Sequence, residues 1–218
     1  MQKSILPFVA NTHTESTVTG KLMSEAYGEA KDIVKKHVGA DSNDALIFCG
    51  SGMTCAVNKL QRILGLRAPE RMMDYVRKET VLNADELPGI ETHNILSERL
   101  SMDLLRPVVF VTHMEHNSNQ VTWLETIATV EIIKSDENGN VDLENFRYLL
   151  ERYQHRKNKI AAVTACSNVT GIETPYHKIA KAIHEYGGLC FVDFACSAPY
   201  VNIDMHPDND SHLDAIYF

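Results

Sequence analysis

Four short stretches carry side chains suited to chemistry. The first is Gly50-Ser51-Gly52-Met53-Thr54. Glycines let a backbone come close to a ligand, and amides at the start of a helix favour an anion. The same residues also read as a plain tight turn capped by Thr54. No lysine follows to complete G-x-x-x-x-G-K-[ST], and Cys55 stands where a dinucleotide fingerprint has its third glycine. A single phosphate is the ligand that suits this loop. The second stretch is Thr112-His113-Met114-Glu115-His116-Asn117. Its two histidines have a spacing that metal ligands can have, but no third ligand stands near them and H-E-x-x-H is absent. An imidazole here could lie flat on a planar ligand or simply be solvated. The third is Ser167-Asn168-Val169-Thr170-Gly171, where Asn168 offers a donor and an acceptor, or forms a turn. The fourth is Asp193, directly after Leu189-Cys190-Phe191-Val192. A carboxylate so placed is close to buried and calls for a cationic partner. Magnesium or a protonated ring nitrogen would serve, and a helix-capping role is the plain alternative.

All four stretches lie where one element gives way to the next. Met23 to Val38 predicts an amphipathic helix, with Ala26, Ala30, Ile33 and Val34 on one stripe and Gly39 as its stop. Ala45 to Cys49 predicts a short buried strand, and Thr54 to Leu64 a helix. Glu79 to Met102 is irregular, with a turn at Pro88-Gly89 and a short helix over Ile95 to Leu100. Beyond it, strands are expected at Val108–Thr112, Ala128–Ile133, Ile160–Cys166, Leu189–Phe194 and Ala215–Phe218. Helices are expected between them at Asn119–Thr126, Leu143–Tyr153 and Pro175–Tyr186. This alternation implies βαβ units: an α/β fold with a mainly parallel sheet and helices on both faces. In such sheets ligands sit beyond the carboxyl ends of the strands, which is where these four stretches fall. Residues 1–40 are expected to form an N-terminal segment and helix, and residues 41–218 a large α/β domain.

Composition narrows the partners. A formal net charge of −8 over 218 residues disfavours general nucleic-acid binding. No run approaches the ~18 apolar residues of a membrane span. Near the N-terminus the apolar patch from Ile5 to Ala10 is broken by Pro7, too little for a secretory signal. The five cysteines, Cys49, Cys55, Cys166, Cys190 and Cys196, are odd in number and form no C-x-x-C pair. Reduced thiols in a cytoplasmic protein are the expectation.

Taken together and in this order, the four stretches resemble the class V aminotransferase/cysteine desulfurase family of fold-type I pyridoxal-phosphate enzymes. Phe48 to Asn58 (FCGSGMTCAVN) looks like that family's phosphate loop, T-x-G-A-T-E-A-I-N. Glu115-His116-Asn117-Ser118-Asn119 with Trp123 looks like E-H-H-A-N-x-x-x-W. Ser167 to Gly171 matches S-N-V-x-G, and Val192-Asp193 opens the V-D-x-A-Q segment. The resemblance runs from about Gly20 to Phe218. It implies that pyridoxal 5'-phosphate is the cofactor. Gly52, Met53 and Thr54 would hold its phosphate, His116 would stack on its ring, and Asn168 would lie near the ring's phenolic oxygen. Asp193 would keep the ring nitrogen protonated, making the ring an electron sink. His116 and Asp193 are thus the expected catalytic residues.

Cys196 occupies the place of the family's glutamine, which contacts the phenolic oxygen; it reads as a small residue filling a packed turn, or as a reactive thiol, and the resemblance counts it among the cofactor-binding residues. The family's Schiff-base lysine follows the strand that begins here at Ala215, so this chain is expected to stop short of it, truncated within the large domain and inactive alone. The resemblance further implies an amino-acid substrate and a homodimer. Two other readings stand beside it. One is a non-catalytic α/β remnant serving as a dimerisation module. The other is a nucleotide-binding domain with Gly50–Thr54 on phosphate and Asp193 on magnesium.

Overall fold

The computed structural model describes residues 4–69 and 104–218. The irregular stretch and short helix expected within 79–102 lie outside the described residues. Of these, residues 4–47 with 201–206 form one compact unit, and residues 48–69, 104–200 and 207–218 form another.

In the first unit a 3₁₀ turn, Leu6–Phe8, precedes helix α1, Val18–His37. Thr17 caps α1 by accepting a hydrogen bond from the Gly20 amide at 3.1 Å, and Lys35, Lys36 and His37 sit in its negative last turn. The segment from 201 to 206 is tied in by Met205 N–H donating to the Val38 carbonyl (3.0 Å) and by His206 against Asp44 (2.8 Å). The expected stripe on α1 does form a helix face, but Ala26, Ala30 and Ile33 stand exposed. Periodicity announces a helix; it does not say what covers it.

The second unit carries the sheet. Val108-Val109-Phe110-Val111-Thr112 is an unbroken β-branched and aromatic run, buried throughout as β1, Val108–Thr112. Such runs belong to parallel strands covered on both faces. β2 is Thr129–Ile133, β3 Lys159–Thr164, β4 Leu189–Asp193 and β5 Ala215–Tyr217. The five pair in parallel in the order β2-β1-β3-β4-β5. The chain steps from β1 outward to β2, then returns to lay β3 on the other side of β1. That reversal leaves a crevice at the carboxyl ends of β1 and β3, where α/β sheets bind ligands.

Helices cover both faces. α2, Met53–Ile63, and α3, Asn117–Leu124, share a core with Val109 and Val111 of β1, Ile160 and Ala162 of β3, Phe191 of β4 and Tyr217 of β5. On the other face Phe110 meets Phe146 of α4, Leu143–Arg152, edge to face at 5.5 Å. α5, Tyr176–His184, packs on β3 and β4 through Ile179, Ala180 and Ile183. Asp142 caps α4 by accepting from the Glu144 and Asn145 amides. Asp142→Ala should therefore cost about 1 kcal/mol in urea unfolding at neutral pH. A change below about 0.3 kcal/mol would mean that the cap is not holding the helix.

One expected element is missing. Residues 45–49 form no strand, and Ile47 and Phe48 stand about half exposed, 52% and 53%. An apolar run becomes a strand only when another strand pairs with it, and none does so among the described residues.

Candidate functional site

The carboxyl ends of β1, β3 and β4 and the first turn of α2 enclose a cleft of about 350 Å³. It is lined by Met53 and Thr54 from α2, His116 and Ser118 after β1, Thr164, Cys166 and Asn168 at and beyond the end of β3, and Asp193, Ala195 and Cys196 at and beyond the end of β4. Of the residues expected at a site, Met53, Thr54, His116, Asn168, Asp193 and Cys196 all border this one cavity. Gly52 is the residue immediately before α2.

Gly52 has φ +121° and ψ 175°, a conformation that essentially only glycine adopts. No side chain caps α2. The amides of its first turn therefore lack the side-chain oxygen that usually meets them, and the positive end of the helix is directed at the cavity wall formed by Met53 and Thr54.

His116 is the residue before α3. Its Nδ1 accepts from the Ser118 amide at 3.2 Å and lies 2.7 Å from the Ser118 hydroxyl. An Nδ1 that accepts from an amide places the proton of the neutral ring on Nε2. His113 goes elsewhere: its Nε2 lies 3.1 Å from the Gly139 carbonyl. The two histidines that share a metal-like spacing thus have separate tasks.

Asp193 ends β4 and is only 4% exposed. Its Oδ1 accepts from the Ala195 amide at 2.9 Å. Burial pushes its carboxyl up to about 6, while the Ala195 hydrogen bond and the nearby His116 pull the other way. Asn168 is exposed on a loop shaped by Ser167, whose hydroxyl accepts from the Val169 and Thr170 amides, both at 3.3 Å. All five cysteines are free thiols. Burial raises the Cys166 thiol above its ordinary range, and the neighbouring Cys196 adds to the effect.

Beneath the cleft lies a polar network that reading by strand ends did not assign a role. Glu115 Oε1 accepts from the Thr112 amide (3.1 Å), the Thr112 hydroxyl (2.6 Å) and the Thr164 amide (2.8 Å). Its Oε2 accepts from Asn119 Nδ2 at 2.8 Å. The Asn119 carbonyl in turn receives Trp123 Nε1 (3.0 Å) and the Tyr217 hydroxyl (3.3 Å). One carboxylate thereby joins the ends of β1 and β3 to α3. Burial pushes Glu115 up to about 7 against the pull of these donors. The signal for it in the sequence was its place beside His116, with Asn119 and Trp123 one helical turn apart.

Comparison with known proteins places this architecture. The apo structure of a cysteine desulfurase from Thermococcus onnurineus superposes with a TM-score of 0.65 at 19% identity, over 98% of this chain and 43% of that one. The parallel sheet, the covering helices and the cleft at the strand ends define part of the α/β fold of fold-type I pyridoxal-phosphate enzymes. The chain belongs to the aminotransferase class-V family, whose profile matches residues 104–218, more than half of its length. A probable cysteine desulfurase of Halalkalibacterium halodurans is 26% identical over 200 residues, 90% of this chain and 40% of the relative. A cysteine desulfurase of Haloferax volcanii is 31% identical over 162 residues, 69% of this chain and 35% of the relative. The chain thus spans well under half the length of these relatives. Among the described residues no helix is long and apolar enough to cross a membrane.

Proposed function

We propose that this chain holds pyridoxal 5'-phosphate in the cleft, and that in a protein of its relatives' length the site acts on an amino acid. The observation that carries this reading is the meeting of three groups in one cavity: the uncapped start of α2, the His116 ring and the buried Asp193. Each fits one part of the cofactor. The α2 amides and the Thr54 hydroxyl suit a phosphate. The His116 ring suits a flat aromatic face. Asp193, a carboxyl that burial raises and that forms no ion pair among the described residues, suits a protonated ring nitrogen. Asn168 and Cys196 would stand near the phenolic oxygen. When bound, the cofactor supplies an electron sink for charge developing on the substrate.

The work of the protein residues is then to position and to polarise. Asp193 holds a proton on the ring nitrogen, His116 fixes the ring plane, and the α2 start anchors the phosphate. The names of the relatives make cysteine the first substrate to test, and the family resemblance makes a homodimer the assembly to look for. No lysine of the described residues lines the cleft, so the 218-residue chain alone should bind the cofactor weakly and without a covalent bond. Trp123, the chain's single tryptophan, lies buried in the core shared with Met53 and gives a fluorescence probe. Pyridoxal 5'-phosphate should quench it saturably, with a Kd on the order of 0.1–1 mM. Pyridoxal without the phosphate should bind at least about tenfold more weakly. Saturable quenching by ATP with none by pyridoxal 5'-phosphate would overturn the reading in favour of a nucleotide site.

A further inference from the structure

Four of the five thiols meet in pairs. Cys166 and Cys196 touch where they line the cleft, and Cys49 and Cys55 touch at the start of α2. Cys190 is buried within β4. The pair at α2 brackets Gly50-Ser51-Gly52-Met53-Thr54, with one thiol directly before this stretch and one directly after it. Cys55 lies in the first turn of α2 and is exposed, while Cys49 is half-buried. The Cys55 amide donates to the Gly52 carbonyl at 3.0 Å, which folds the chain back beneath the turn.

A separate observation fixes where the Cys55 sulfur sits. A Cβ on residue 50 would stand 2.2 Å from Cys55 Sγ and 2.5 Å from Cys55 Cβ. Gly50 also has φ +52°, in the left-handed region that favours glycine. The Cys55 thiol is thus folded over the residue next to Cys49, in space that only a glycine leaves open. Burial, and then Cys55 itself, raise the Cys49 thiol above its ordinary range, against the pull of Lys59. Cys49 therefore keeps its hydrogen, and a reagent from solvent meets the exposed Cys55 first.

We propose that Cys49 and Cys55 form an oxidisable dithiol, a modification site at which a hydroperoxide closes the Gly50–Thr54 stretch with a disulfide. With hydrogen peroxide, the Cys55 sulfur attacks one peroxide oxygen and the O–O bond breaks. The thiol hydrogen leaves with the departing hydroxyl as water, and Cys55 becomes a sulfenic acid. The Cys49 sulfur then attacks the Cys55 sulfur and the S–O bond breaks. The sulfenic hydroxyl leaves with the Cys49 hydrogen as a second water. Two thiols are oxidised to one disulfide, and one peroxide is reduced to two waters. Exchange with an external dithiol restores the thiols. The bond fastens the turn to the first turn of α2, whose amides no side chain caps. What it does to a bound phosphate rests on the cofactor reading above; the bond itself does not.

The test is mild oxidation of the reduced 218-residue chain with hydrogen peroxide, then alkylation and tryptic mapping. Cys49 and Cys55 share the tryptic peptide from His37 to Lys59, which holds no other cysteine. That peptide should become two hydrogens lighter, refuse the alkylating agent and recover both thiols with dithiothreitol. In Cys49→Ser the Cys55 sulfenic acid has no thiol to meet and should pass on to the sulfinic acid. Balanced against reduced and oxidised glutathione, the bond should be at least about tenfold more favoured in the folded chain than in the urea-unfolded one. Gly50→Ala, whose methyl group meets the Cys55 sulfur, should remove most of that advantage. If Gly50→Ala disturbs the fold by circular dichroism, the folded and unfolded forms of the unaltered chain still decide. Sulfinic acid at Cys55 of the unaltered chain in place of the bond would overturn the proposal. So would a disulfide from either residue to Cys166, Cys190 or Cys196, or a bond no more favoured in the folded chain than in the unfolded one.

Discussion

Replacing Asp193 with asparagine should make the chain more stable and the cofactor site worse. Burial holds this carboxyl at about 6, well above the 3.8 of an unhindered aspartate. The native state therefore keeps a proton that the unfolded chain gives up between those two values. Stability falls as pH rises through that window, because there the native protein binds more protons than the unfolded one. Asparagine resembles the neutral carboxyl and can still accept from the Ala195 amide. At pH 7 the substitution should add on the order of 1–3 kcal/mol to the unfolding free energy, and the gain should fade below about pH 4. The same change removes the charge that would keep a ring nitrogen protonated. Pyridoxal 5'-phosphate should bind more weakly, and in a protein of full family length turnover should fall about 10²- to 10³-fold. Urea unfolding at pH 7 and pH 4, with Trp123 quenching by the cofactor, measures both sides. A residue serving only the fold would lose stability and leave binding alone. Unaltered cofactor affinity with full turnover would remove Asp193 from the proposed site.

The sheet was legible in the sequence because a parallel strand buried on both faces leaves a plain mark. Val108–Thr112 and Ile160–Cys166 are unbroken apolar or β-branched runs, and each is followed by polar residues at the carboxyl end. That position alone sufficed to gather His116, Asn168 and Asp193 around one cavity, which Thr54 joins from the first turn of α2 and not from a strand end. Residues 45–49 misled for the complementary reason. They have the composition of a strand, but pairing is a property of two segments, and composition reports on one. The stripe on α1 likewise gave the helix without its cover.

The side-chain geometry left weaker marks. Nothing in the spacing of His184 and Asp214 announces that they meet, 2.9 Å apart, because the first belongs to α5 and the second stands directly before β5. They meet only because β4 and β5 pair side by side, with Asp193 opposite Tyr217. Nor did spacing give the rotation of His113 away from His116. That depends on the Gly139 carbonyl, which comes from the turn after β2.

Glu115→Ala is the substitution expected to do most damage to the fold around the cleft. The side chain is the common acceptor for the Thr112 and Thr164 amides, which end β1 and β3. Without it these two backbone donors lose their partner where the strands stop pairing. Each orphaned buried donor costs about 1–3 kcal/mol, so the loss should be on the order of 2–5 kcal/mol, a large part of a typical domain's stability. Asn119 keeps its second bond to the Ala162 carbonyl at 3.2 Å, and its own carbonyl keeps Trp123 and Tyr217. The damage should therefore centre on the strand ends beside His116. Amide hydrogen exchange should show Thr112 and Thr164 losing protection ahead of Val109 and Ala161 in the middle of the sheet. Glu115→Gln separates the carboxylate's charge from its shape. The amide oxygen can still serve both strand ends, while its NH₂ group meets Asn119 Nδ2, donor against donor. Because burial raises Glu115 to about 7 from 4.5, the unaltered chain should lose stability as pH rises through that interval. Glu115→Gln should flatten this slope by at most about 1.4 kcal/mol per pH unit. Asp193 titrates in the lower part of the same window and Tyr217 faces both carboxylates, so the comparison is cleanest between pH 6 and 7.5. If Glu115→Ala unfolds within about 0.5 kcal/mol of the unaltered chain and Thr112 and Thr164 stay protected, the carboxylate is not what joins β1 to β3.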